Sequence, residues 1–168
     1  MKLQPIDRSN FELVMSWLAQ KENYQWLDFG SGNQLLQPGA LQLMSRRETH
    51  CIRAFTSEPD DVPIGVVALS NVSQNFKTAM LWYALGDKNY SGRGYTTRAA
   101  HEILQFGFGT LGLHAVNAWT VSINGASVRV LERNNFQPIG RLRQSHYIEG
   151  RVFDRLLFDL LASENRGN

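Results

Sequence analysis

The chain carries one cysteine, Cys51, in 168 residues, which excludes an internal disulfide framework. Because Cys51 falls in the strand-like run Thr49–Phe55, it reads as a small buried apolar residue rather than a nucleophile. Charge of one sign is also missing. Seventeen Lys and Arg face fifteen Asp and Glu, a net of +2, and the basic residues are scattered. That leaves no nucleic-acid footprint, since the nearest cluster, Arg141, Arg143 and Arg151, surrounds a hairpin and reads as a solvated edge. The opening MKLQPIDRSN has no signal-like apolar core, and no apolar run approaches membrane-spanning length. The expected setting is therefore soluble, reducing and cytoplasmic, with no membrane partner. Repeats and low-complexity segments are absent too.

What the chain does have is Leu81–Phe108, LWYALGDKNYSGRGYTTRAAHEILQFGF. The apolar run Met80–Leu85 reads as a buried strand. A loop with Gly92 and Gly94 follows, then a helix whose Tyr95, Ala99, Ile103 and Phe106 recur on one face. Such a strand, glycine loop and helix start aims several backbone N–H groups at one point, where the helix dipole favours negative charge. The glycines leave no side chain in the way of a phosphate. Two familiar phosphate motifs fail on spacing. A dinucleotide fingerprint needs Gly or Ala where Thr97 stands, and the next strand, AVNAWTV at Ala115–Val121, ends without an acidic residue. A Walker loop needs Gly-Lys-Ser/Thr, which does not occur.

The run Ser91-Gly92-Arg93-Gly94-Tyr95-Thr96-Thr97-Arg98-Ala99 resembles the acetyl-CoA loop of the GNAT superfamily of N-acetyltransferases, R/Q-x-x-G-x-G/A. Downstream, Asn124–Phe136 is similar to that family's N-x-x-S-x-x-V-L-E-K-x-G-F helix. Together with their flanking strands the two segments cover roughly half the chain, in the family's order. The nearest branch is that of the ribosomal-protein N-terminal acetyltransferases and their small-molecule relatives. Three positions depart from the pattern: Asn89 for Arg or Gln, Asn135 for Gly, and Leu131 for the tyrosine that many members use as general acid.

Length and composition fit one domain with a full core. Lys2–Ile6 reads as a strand and Asn10–Gln20 as a helix, capped by Asp7 or Ser9. The segment Lys21–Pro38 is rich in glycine and aromatics, and Pro38–Arg47 reads as a second helix. His50–Thr56, Ile64–Val72 and Thr78–Leu85 follow as strands, then the glycine loop with its helix, strand His114–Val121, and helix Ala126–Arg133. Phe136–Gly140, Leu142–Tyr147 and Val152–Leu161 supply the closing strands, with Glu149-Gly150 as the hairpin turn. Residues 1–162 are expected as a single α/β (α+β) domain and 163–168 as a frayed tail. The resemblance implies the GNAT fold: a mixed central sheet splayed at the cofactor site, with helices on both faces.

It also implies acetyl-CoA as co-substrate and no metal. Backbone groups at Tyr83, Ala84 and Leu85 would bind the pantetheine arm as an added strand, with Gly86 as a bulge. The loop Ser91–Thr97 would hold the pyrophosphate, Asn124 would bond the arm, and Arg93 and Arg133 would reach phosphates. Ser127 takes the place of the missing tyrosine as catalytic proton donor to the leaving thiolate; the alternative is that it bonds only a backbone carbonyl. Tyr24, Trp26, Asp28 and His146 are candidate acceptor-site residues, with Asp28 and His146 as conceivable bases. The bland reading keeps those aromatics in the core, Asp28 in a turn, and His146 as a partly exposed strand histidine. The expected activity is transfer of acetyl to a primary amine of a small molecule or a protein N-terminus, by an enzyme compatible with a homodimer. Its rivals are a non-catalytic acyl-CoA-binding sensor or interaction module, and a nucleotide-binding α/β protein.

Overall fold

The computed structural model describes residues 1–165. Strand β1 (Leu3–Pro5) leads into helices α1 (Phe11–Leu18), α2 (Lys21–Tyr24) and α3 (Pro38–Arg46). Then come β2 (Cys51–Thr56), β3 (Pro63–Ser73), β4 (Thr78–Leu85), α4 (Tyr95–Gly109), β5 (Ala115–Val121), α5 (Gly125–Arg133), β6 (Gln137–Ile148) and β7 (Arg151–Leu161). The seven strands form one mixed sheet in the order β1-β2-β3-β4-β5-β7-β6. Among the described residues, β4–β5 is the only parallel pairing.

Both faces of that sheet are covered, and β3 shows why its sequence is almost continuously apolar. Its Val67 and Leu69 join a core with Ala99, Ile103 and Leu104 of α4 and Leu131 of α5. Val66 and Ala68, on the alternate positions, join a second core with Val14, Trp17 and Leu18 of α1 and Leu41 of α3. Gly107 lets α4 sit close to the sheet, since a Cβ there would lie 2.7 Å from Leu69.

Several local expectations need correction. Neither Asp7 nor Ser9 caps α1. Asn10 is the boundary residue, and its side chain ties Asp7 N–H (3.0 Å) and the Pro5 carbonyl (2.9 Å) together below the helix. Within the segment after α1, Lys21–Tyr24 turns as a helix, anchored by Asn23 Nδ2 donating to the Trp17 carbonyl at 2.9 Å. The separate segments expected over 136–147 are one long strand, β6, with an irregularity between Leu142 and His146. There Gln144 takes φ +50°, and its N–H is caught by Asp154 Oδ1 at 2.8 Å. The hairpin turn at Glu149-Gly150 has φ +47° and +80°, the pair of positive values that a tight antiparallel connection uses. Of the expected frayed tail, Ala162–Glu164 folds as a single 3₁₀ turn closed by Leu161 N–H to Glu164 Oε2, 3.1 Å. Residues 166–168 lie outside the described residues.

Among the described residues no helix is long and apolar enough to cross a membrane.

Candidate active site

The sheet opens at its centre. β4 pairs with β5 only through Thr78↔Ala115, Ala79↔Val116 and Met80↔Asn117. Beyond Met80 each strand keeps its outer neighbour, β4 holding β3 as far as Leu85 and β5 holding β7 as far as Val121. The inner edges of Leu81–Leu85 and Ala118–Val121 thus face each other unpaired. Backbone groups left so inside a fold need partners from elsewhere, and an extended chain of amides is one that fits. At the wide end, the N–H groups of Gly86 and Asp87 both donate to the Ile64 carbonyl, at 2.8 and 2.9 Å, the bonding pattern of a β-bulge. Gly86 is needed here for space, because a Cβ would lie 2.0 Å from the Trp17 indole.

The glycine loop closes that wide end. Gly92 (φ +74°) and Gly94 (φ +78°) turn the chain into α4, with Gly94 at its N-cap. The first bond of the helix runs from Arg98 N–H to the Gly94 carbonyl, 3.0 Å. Among the described residues, the amides from Gly92 to Thr97 donate to no protein acceptor. Six consecutive free donors at the N-terminus of a fifteen-residue helix make a strong site for a diphosphate.

Both features border one cavity of about 720 Å³. Its wall includes Tyr83, Ala84 and Leu85 from β4, and Ser91, Gly92, Gly94, Tyr95, Thr96 and Thr97 from the loop and helix start. Asn124, Ser127 and Arg133 from α5 complete that side, and Trp26 and Asp28 lie across from it. Arg93, Tyr24 and His146 are outside the wall. The Arg93 guanidinium sits 5.4 Å from the Tyr90 ring centre. Tyr24 is half-buried at the end of α2.

Helix α5 is built to present its first turn. Asn124 Oδ1 accepts from Ser127 N–H at 3.2 Å, so the asparagine caps the helix. The helix ends with Phe136 N–H on the Leu131 carbonyl (3.1 Å) and Asn135 N–H on the Glu132 carbonyl (3.0 Å), a Schellman closure. Asn135 has φ +63°, which accounts for asparagine standing where the resemblance expects glycine. Leu131 is 1 % exposed, an apolar part of the cavity wall that can donate no proton. The Ser127 hydroxyl has no hydrogen bond among the described residues, so it is not spent on a backbone carbonyl. A group that sequence reasoning used only for its backbone also reaches this turn: the Tyr83 hydroxyl donates to the Ser127 carbonyl at 3.2 Å. Burial pushes that phenol well above its usual pKa, which keeps it a donor.

The acceptor-side carboxylate and histidine occupy a closed network. Asp28 Oδ2 accepts from Arg155 Nη2 at 2.8 Å, and its Oδ1 accepts from the amides of Gly30 and Gly32. Burial works to raise the Asp28 pKa, but the Arg155 bond and those amides outweigh it and hold the carboxyl below its ordinary value. His146 is 3 % exposed rather than partly exposed, because the aromatic ring of Trp119 and the segment after α2 cover it. Its Nε2 pairs with the Gln25 carbonyl at 2.7 Å and its Nδ1 with Arg155 Nε at 3.2 Å. Burial lowers the imidazole pKa, with Arg155 adding to the effect. His146 has no free face toward the cavity, whereas Asp28 lines it with a carboxylate already bonded to Arg155 and two amides. Arg155 escaped sequence reasoning because it sits in a strand with no motif, 127 positions from its carboxylate partner. Cys51 is buried, and burial raises its thiol pKa, as a packing role requires. No group of three or more His, Cys, Asp or Glu among the described residues could hold a metal ion.

Comparison with known proteins agrees with this geometry. The family model described as an acetyltransferase (GNAT) domain matches residues 1–137. The chain is 32% identical over 113 residues to the "Uncharacterized N-acetyltransferase p20" of Bacillus licheniformis, a match spanning 67% of this chain and 62% of that protein. It is 32% identical over 123 residues to "Probable N-acetyltransferase YjcK" of Bacillus subtilis, spanning 73% of this chain and 67% of that one. Among solved structures, a spermidine N-acetyltransferase from Vibrio cholerae, in complex with CoA and spermine, superposes with a TM-score of 0.83 at 16% identity. That superposition covers 98% of this chain and 96% of the other. A ribosomal-protein-S5-alanine acetyltransferase from Vibrio fischeri gives 0.79 at 21% identity, over 98% and 94%. At those identities the two structures speak for the fold. With its splayed sheet, its glycine loop and a family match over most of its length, the chain belongs to the GNAT acetyltransferase family.

Proposed function

We propose that this chain is an acetyl-CoA-dependent N-acetyltransferase acting on a primary amine by direct attack. The observation that carries the reading is the meeting, in one cavity, of the free amides of Gly92, Gly94, Tyr95, Thr96 and Thr97 with the unpaired inner edges of β4 and β5. The first matches a pyrophosphate and the second a chain of amides, which is the chemistry of coenzyme A. The N-acetyltransferase names of the bacterial relatives support the same activity.

When bound, the thioester supplies an acyl carbon that an amine can attack without covalent help from the protein. The chain's own residues mainly position the reactants. Gly92–Thr97 would hold the diphosphate, and the edge of β4 would take the arm along a cavity whose wall includes the first turn of α5. Ser127 Oγ passes a proton to the departing thiolate and is refilled from the proton that the amine sheds into the cavity water, and Tyr83 holds the Ser127 main chain through its carbonyl. Arg133 lines the same side and offers charge to the phosphates. An alkyl ammonium, with a pKa of roughly 10, has to shed its proton before attack. Asp28 and His146 are committed to Arg155, so this proton leaves through water in the cavity mouth.

The buried Leu131 favours one second reading, a coenzyme-binding sensor without turnover. An acetyl-transfer assay with a panel of amines, following release of free thiol, separates the two. Turnover with any amine supports the enzyme; tight acetyl-CoA binding without turnover supports the sensor.

A further inference from the structure

The half of the cavity opposite α4 and α5 has an unusual wall. Trp82 and Phe29 meet edge-to-face there, with ring centres 5.4 Å apart. Trp82 is fixed in place by its indole N–H on Ser70 Oγ, 2.8 Å, and both rings pack against the core under α1 and α3. Trp26 and Met44 continue the wall. Trp119 alternates with Ala118, which belongs to the other core, and so faces this same side of the sheet. These are large, rigid apolar surfaces, suited to an apolar body.

Charge on the wall is equally telling. Among the described residues, the only carboxylates lining the cavity are Glu22 and Asp28. Glu22 is exposed to solvent, outside the buried part of the wall. Asp28 is neutralised by Arg155, and both of its oxygens already accept hydrogen bonds. Aromatic faces could still receive an ammonium, but the face of Trp119 is taken by the protein's own Arg155, 4.0 Å from the ring centre. A substrate with a second or third ammonium would therefore bury it against this wall with no free carboxylate to pair it, which is costly. A lone amine fares differently. An apolar wall lowers its pKa toward the neutral form that attacks.

On the acetyltransferase reading above, we propose that the acceptor is a monoamine with an aromatic or bulky apolar body, and that the site discriminates against polyamines. This distinguishes the chain from the spermidine acetyltransferase whose fold it shares.

The test compares phenethylamine and tryptamine with spermidine and spermine in the thiol-release assay, after calorimetry has shown acetyl-CoA binding. The expected kcat/KM is about tenfold or more higher for the aryl amines. Trp82→Ala should raise KM for phenethylamine while leaving KM for acetyl-CoA near the wild-type value. Phe29→Leu gives the same readout if the first variant does not fold. Met44→Glu, which places an unpaired carboxylate in the wall, should shift the preference toward spermidine. Equal or better use of spermidine by the wild type overturns the proposal while leaving the acetyltransferase reading standing. Bound acetyl-CoA with no transfer to either aryl amine overturns it as well. Absence of acetyl-CoA binding removes both.

Discussion

Ser127 and Tyr83 approach the same turn from two elements, and their chemistry separates them. The serine hydroxyl is uncommitted, whereas the tyrosine hydroxyl is already bonded to the Ser127 carbonyl. Ser127→Ala should lower kcat by about 100-fold, the loss expected for a proton donor, with a smaller change in KM for acetyl-CoA. Tyr83→Phe should cost far less. A collapse of kcat in Tyr83→Phe beside an unchanged Ser127→Ala would move the donor role to the tyrosine. His146 makes a prediction about pH. Its pKa is depressed on folding, so the stability tied to its neutral form is present above the unfolded value, near 6.5, and is lost as pH falls below that toward the folded value. Protonation of Nδ1 would also set two cations face to face by removing the acceptor used by Arg155. Thermal melts should give a flat Tm above about pH 7 and a decline below about 6.5. The decline should be blunted in His146→Gln, whose amide can make both bonds without titrating. An identical slope in that variant would show that the histidine is not its source. These residue-level roles were the least legible in the sequence. Asp28 bonds Arg155 from 127 positions away and His146 bonds the Gln25 carbonyl from 121, and local pattern carries no information about such pairs.

At the scale of elements, two glycines have different tasks. Gly94 needs its left-handed conformation and has open space around it, so Gly94→Ala should cost about 1 kcal/mol of strain. Its larger effect should be on acetyl-CoA affinity, since it re-aims the amides that follow. Gly86 needs room, because Trp17 lies against it. Gly86→Ala should destabilise the fold by about 1–3 kcal/mol, measured by urea unfolding, through displacement of the α1 indole. A variant as stable as wild type would mean the indole moves freely, and the wide end of the splay is then less rigid than described. Elements of this kind were well marked in the sequence. The strand before the glycine loop, α4 and α5 all carry local signals: an apolar run, positive-φ glycines, a capping asparagine. The short helix α2 and the continuity of β6 were not marked, because each depends on a contact from another element, Asn23 accepting from Lys88 and Gln144 donating to Asp154 of β7.

Across the whole molecule, the sheet is interrupted where it would ordinarily be strongest. Two cores, one on each face, hold β3 and the paired part of β4 rigid, so the opening beyond Met80 costs main-chain bonds without loosening the scaffold. A mixed sheet covered on both faces followed from the almost continuously apolar run of β3 and from the family resemblance; the strand order and the width of the gap are tertiary properties that no stretch of sequence encodes. Filling the gap should stabilise the whole chain, since a ligand that binds only the folded state raises Tm with its concentration over Kd. A titration calorimetry experiment with acetyl-CoA and the folded protein tests this most directly. Saturable heat from one site per chain is expected, weakened in Gly94→Ala. Featureless heat at about millimolar acetyl-CoA, a concentration that would reveal binding worth even 4 kcal/mol or so, would contradict it.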